Sequence, residues 1–152
     1  MLNRFRRLGG LWGKDRRGTA ALEFGLVAFP LLLVVFGGAE LAMVLNQYLT
    51  LTNATIVGAE QFAFSAGVDA TPYADAVSAI EAAAPTLTPL GITLVVNGAV
   101  CTDTSSTTCA TALSGGTGYV TVTVTYSCAA INLVFNLLPD CRLTAKETER
   151  VQ

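Results

Sequence analysis

Residues 17–45 read RGTAALEFGLVAFPLLLVVFGGAELAMVL, and after Arg17 only Glu23 and Glu40 carry charge. At about 1.5 Å per helical residue, the uncharged run 24–39 covers roughly 24 Å, and continuing to Leu45 exceeds the roughly 30 Å of a bilayer's hydrocarbon. The stretch therefore predicts a helix able to span a membrane. Pro30 lies inside it, a residue that can kink a helix but is better tolerated in membrane helices than in soluble ones, and Gly37-Gly38 reads either as a second soft point or as a surface for close approach by a neighbouring helix.

Working upstream, six of the nine basic residues (Arg4, Arg6, Arg7, Lys14, Arg16, Arg17) precede Gly18, whereas from Thr19 onward three basic residues face ten acidic ones, a balance of −7. Basic flanks stay on the cytoplasmic side, so the expected orientation is N-in and C-out. The cluster reads either as that topology determinant alone or as a lipid-binding patch as well. Nucleic acid is not an expected partner, because no basic stripe follows the apolar run. Nor does the run look like a secretory signal. It is longer than the 7 to 15 residues of such an apolar region, and no A-x-A site closes it.

The break instead precedes the helix, at Arg16-Arg17-Gly18-Thr19-Ala20-Ala21-Leu22-Glu23-Phe24. Gly18, four small or apolar residues, then Glu23 and Phe24 resemble the processing site of type IV pilins and pseudopilins. Over the whole of residues 17–45 the chain resembles the TadE-like family of minor pseudopilins, including the Pro after the first turns and the Gly-x-x-Glu-Leu ending at Glu40. The resemblance implies that a membrane-embedded prepilin peptidase cuts between Gly18 and Thr19. Glu23 then becomes the fifth mature residue. Gly suits a close-fitting cleft because it has no side chain. An ionisable group at the membrane boundary is costly unless paired, so Glu23 calls for a partner such as the amine freed on another subunit, or else marks the helix start. Glu40 reads either as the outer boundary or as a second assembly contact. Seventeen residues, about 25 Å and roughly 100° of rotation separate it from Glu23, so the two do not form a catalytic pair.

Working downstream, polar residues enter at Asn46 and Gln47, and the helix is expected to continue to about residue 66 with a stripe of Tyr48, Leu51, Thr55, Ala59, Phe62 and Ala63 packing against a domain. Ser65-Ala66-Gly67 breaks it. Thr71-Pro72 starts a second helix, capped by Thr71, with Ala76, Val77, Ile80 and Ala84 on one face and Pro85 and Pro89 beyond its end. Ile92–Val96 before Asn97-Gly98, Tyr119–Tyr126 with Val120, Val122, Val124 and Tyr126 on one face, and the alternating Arg142–Val151 predict strands. The expected fold is α+β: a long N-terminal pilin-like transmembrane helix, then a small antiparallel sheet domain with packed helices and disulfides. Its divisions are a cleaved basic leader (1–18), the membrane helix (19–45) and a periplasmic domain (46–152).

All four cysteines follow the apolar run, at positions 101, 109, 128 and 141. Their spacing lacks the C-x-x-C of redox and zinc sites, and the chain has no His to complete a mixed metal site. Disulfides are expected, and of three connectivities Cys101–Cys109 and Cys128–Cys141 are favoured because each ties off a loop between predicted strands. The apolar segment 129–139 either closes the core or contacts a partner.

No catalytic set is apparent: without His the commonest general base is missing, and Gly115-Gly116-Thr117-Gly118 lacks the Lys of a phosphate loop. Asn53-Ala54-Thr55 matches a glycosylation sequon. Neither enzyme activity nor a cofactor is expected. The functional expectation is a minor pseudopilin at the bacterial inner membrane, acting with prepilin peptidase, other pilin or pseudopilin subunits and the assembly platform. The alternative is a permanently anchored periplasmic binding or scaffold protein.

Overall fold

The computed structural model describes residues 16–65, 70–102, 106–114, 118–128 and 141–151. Residues 1–15, within the expected leader, and the segment 129–139 lie outside them, as does Gly115-Gly116-Thr117. The chain divides between Ala39 and Glu40 into two units.

Helix α1, Arg16–Phe64, runs unbroken through Pro30. In the first unit it exposes Leu22, Phe24, Leu26, Val27, Phe29 and the residues of 31–36. Such a sequence forms a helix without tertiary support because its backbone bonds are satisfied within the segment and its side chains suit an apolar solvent. Gly18, expected at a break, is already helical, since one Gly costs only about 1 kcal/mol in a helix.

The second unit is the α+β head. Four antiparallel strands, β1 (Leu90–Val96), β2 (Ala99–Cys101), β3 (Tyr119–Ser127) and β4 (Arg142–Arg150), stand in the order β2-β1-β3-β4. Register places Val96 opposite Val120, Leu94 opposite Val122, and Val124 opposite Ala145, so the alternating apolar residues of three strands meet on one face. That face forms one core with Leu51, Ala54, Ala59 and Phe62 of α1, with Ala76 and Ile80 of α2 (Pro72–Ala83), and with Leu113 of α3 (Ser106–Leu113).

Tyr48, expected on the packed stripe of α1, is 43% exposed; the buried stripe runs through Leu51, Ala54 and Thr55. The buried Thr55 hydroxyl donates to the Leu51 carbonyl at 2.7 Å, which satisfies it within the helix. The sequon at Asn53 therefore sits mid-helix with its hydroxyl covered. Thr71 occupies the N-cap of α2 as expected, but its hydroxyl donates to Asp75 Oδ2 at 3.4 Å rather than accepting a backbone N–H.

Two elements were not legible in the sequence. Strand β2 has only three residues, too few to show a period, and α3 follows Cys101 where a plain loop was expected. The β1–β2 hairpin turns at Asn97-Gly98, both with positive φ (49° and 87°), as a two-residue hairpin with matching twist requires.

Candidate membrane anchor and assembly segment

The residues singled out at the N-terminal end lie on α1. Gly18, Thr19 and Glu23 are exposed, and Phe24 is 74% exposed. A Cβ added at Gly18, Gly25, Gly37 or Gly38 would meet nothing within 4 Å. The intramolecular fold thus gives no steric reason for glycine at these four positions, although each weakens a helix relative to Ala. Gly58 differs, because a Cβ there would overlap Ile80. Within one helix, then, glycine at 58 answers to the head's own packing, and the four earlier ones answer to no contact among the described residues.

Gly18 is the third residue of α1, where backbone N–H groups still lack intrahelical acceptors. Opening that turn to an extended strand sacrifices few hydrogen bonds. Glu40 is half-buried and has a partner, unlike a carboxylate standing in solvent.

In the head, the structure joins Cys101 to Cys109 and Cys128 to Cys141, with Cα–Cα separations of 5.6 and 5.1 Å. The first bridge pins the end of β2 to α3, and the second closes the chain between β3 and β4, where the Cys128 N–H also donates to the Cys141 carbonyl at 3.1 Å. A hollow of about 340 Å³ is lined by Glu60, Ala63, Phe64, Glu149 and Arg150. It brings together two carboxylates and a guanidinium but no nucleophile. Among the described residues no three His, Cys, Asp or Glu side chains gather as a metal would need.

Among the described residues one helix, Gly18–Phe64, is long and apolar enough to cross a bilayer. With a disulfide-bonded α+β head following it, the architecture is compatible with a protein held by a single-pass membrane anchor. Comparison with known families narrows this class: residues 18–60 match the model of the TadE-like protein family. The match bears out the resemblance read from residues 17–45, and the family implies a Tad pilus-associated protein. It ends before α2, so the sheet and both disulfides lie beyond the matched segment. No curated protein and no solved structure matched the chain.

Proposed function

We propose that the protein is a minor pseudopilin, a membrane-anchored subunit required to assemble a tight-adherence type IV pilus. The observation that carries this reading is the pairing of an exposed Gly18–Phe24 motif with three further glycines of α1, Gly25, Gly37 and Gly38, that no packing among the described residues requires. A helix that serves only as an anchor needs apolar surface. One that is first cut and then packed among neighbouring helices also needs a residue that fits a protease cleft and small residues where backbones approach.

In this reading prepilin peptidase removes the basic leader 1–18 and Thr19 becomes the N-terminus. Residues 19–45 hold the chain in the bacterial inner membrane, N-in, and the head from 46 onward folds in the periplasm, where both disulfides form. The freed Thr19 amine of one subunit pairs with Glu23 of another, and Glu40 supplies a second contact near the opposite boundary. Other pilin or pseudopilin subunits and the inner-membrane assembly platform are the partners. The role is structural, not catalytic.

Coexpression with an active prepilin peptidase tests it. The wild-type chain should lose the mass of its first eighteen residues and begin at Thr19, and Gly18→Leu should abolish the shift. An unshifted wild-type mass beside a processed control pilin would instead favour a permanently anchored scaffold.

A further inference from the structure

The three basic residues that follow the apolar run, Arg142, Lys146 and Arg150, all lie on β4 and occupy alternate-face positions that are exposed. Four strand residues span about 13 Å, so they form a row of about 26 Å. Thr144 and Thr148 stand between them, and register sets Thr123 beside Lys146, Thr121 beside Thr148 and Tyr119 beside Arg150. Glu147 and Glu149 point to the opposite, core-facing side. By strand alternation this outer sheet face carries three cations and no described carboxylate, although Arg150, at the end of the row, also lines the hollow that holds Glu60 and Glu149, in a head whose residues 40–152 include nine acidic ones. Tyr119 at one end of the row and Val100 on β2 are each 61% exposed, adding apolar area to the cationic face.

We propose that this face docks the acidic side of α2, carrying Asp75 and Glu81, from a second copy of the chain. The inference deepens the assembly role proposed above and rests on it for its place in a pilus. Charge complementarity selects the occupant. Two heads, each with nine acidic and three basic residues, repel in most orientations, and opposing charges meet only when one copy presents the β4 row. On α2, Ala76 and Ile80 are buried, whereas Glu81 is exposed and Asp75 half-exposed, with Ser78 and Ala82 completing a small-residue surface that lets the sheet approach. Asp75 and Glu81 are about 9 Å apart along the axis and about 120° apart around it, flanking Ser78, so each can meet a different one of the long basic side chains in the row. The two patches differ, so the contact is heterologous, and a pair of copies still presents one free patch of each kind to a further subunit. Tyr and Arg at one end of the face are residue types that dominate binding energy when desolvated.

The chain's sequence offers a direct readout, because Lys146 is the single lysine beyond Lys14. The full, oxidised chain in nanodiscs, mixed as isotope-labelled and unlabelled copies, is treated with a zero-length carbodiimide and peptide-mapped. Cross-links from Lys146 to Asp75 or Glu81 should join copies of different label, and should fall at least tenfold in 1 M salt or in the double variant R142E/R150E, which keeps the reporter lysine. Intact disulfides and an unchanged circular dichroism spectrum verify that variant's fold. Cross-links confined to one label, cross-links to other carboxylates, or equal yields in R142E/R150E overturn the proposal. Mixed-label links that appear in neutral nanodiscs but vanish when phosphatidylglycerol is included also overturn it, assigning the face to lipid headgroups. None of these readings depends on leader cleavage or on pili, so failure here is distinct from failure of the pseudopilin reading.

Discussion

Ile80 of α2 lies directly over Gly58 of α1, so that a methyl group at residue 58 would overlap Ile80 Cγ1 and come within 2.6 Å of its Cδ1. Ile80 is fully buried, which leaves its branched side chain little room to withdraw. Gly58→Ala should therefore destabilise the head. Overpacking costs about 1–3 kcal/mol, offset by the roughly 1 kcal/mol that Ala gains over Gly in a helix. Urea unfolding of the detergent-solubilised chain would measure it. Gly25→Ala, where the added methyl meets nothing, provides the contrast and should not lower stability.

The β1–β2 turn is tied to the start of β3 through Asn97. Its Oδ1 accepts the Tyr119 N–H at 3.0 Å, and its own N–H donates to the Tyr119 carbonyl at 3.0 Å. Asn97→Ala keeps the second bond and loses the first, while placing at φ 49° a residue that tolerates the left-handed region less well than Asn. A loss of about 1–2 kcal/mol is expected, together with faster hydrogen exchange at the Tyr119 amide. An unchanged exchange rate there would contradict the assignment of Oδ1 as its acceptor.

The disulfides close loops of 8 and 13 residues' separation. Loop-closure entropy predicts about 2.5–3 kcal/mol for each, the longer loop contributing slightly more. Removing a bridge as a pair, Cys101→Ala with Cys109→Ala or Cys128→Ala with Cys141→Ala, avoids leaving a lone thiol. Equilibrium unfolding of each double variant should show losses of that size. Non-reducing peptide maps of envelope-isolated protein should contain the two local pairs; quantitative alkylation of all four thiols without reductant would rule out an oxidising compartment.

Under the proposed assembly role, Glu23→Ala should leave membrane insertion intact and impair piliation, since an uncompensated carboxylate opposes insertion while a paired one aligns subunits. Sheared filaments and membrane fractions are to be compared after verifying that the variant is still cut at Gly18. A processed Glu23→Ala subunit that supports normal piliation would reduce Glu23 to a marker of the helix start.

How much of this was legible beforehand follows from the range of the forces involved. The apolar run 17–45 declares a membrane-compatible helix because composition and length alone satisfy a bilayer. The alternation in Tyr119–Tyr126 and Arg142–Val151 declares strands and their inner faces because the side-chain period is two. The family likeness was readable from the same N-terminal residues. What no local pattern contains is partnership at a distance. Strand β2 exists because Leu94 and Val96 find Cys101 and Ala99 across a two-residue turn. Gly58 is needed because α2 places Ile80 upon it. Along the chain Arg142, Lys146 and Arg150 look like scattered charges on one strand; the order β2-β1-β3-β4 puts them at a sheet edge and its register sets threonines beside them, while the core takes Val120, Val122 and Val124 to the other side. The sequence by itself determined the elements and the faces they bury, since those depend on residues a few positions apart. Tertiary structure decided which faces meet and which are left to solvent, since that depends on packing between segments tens of residues apart.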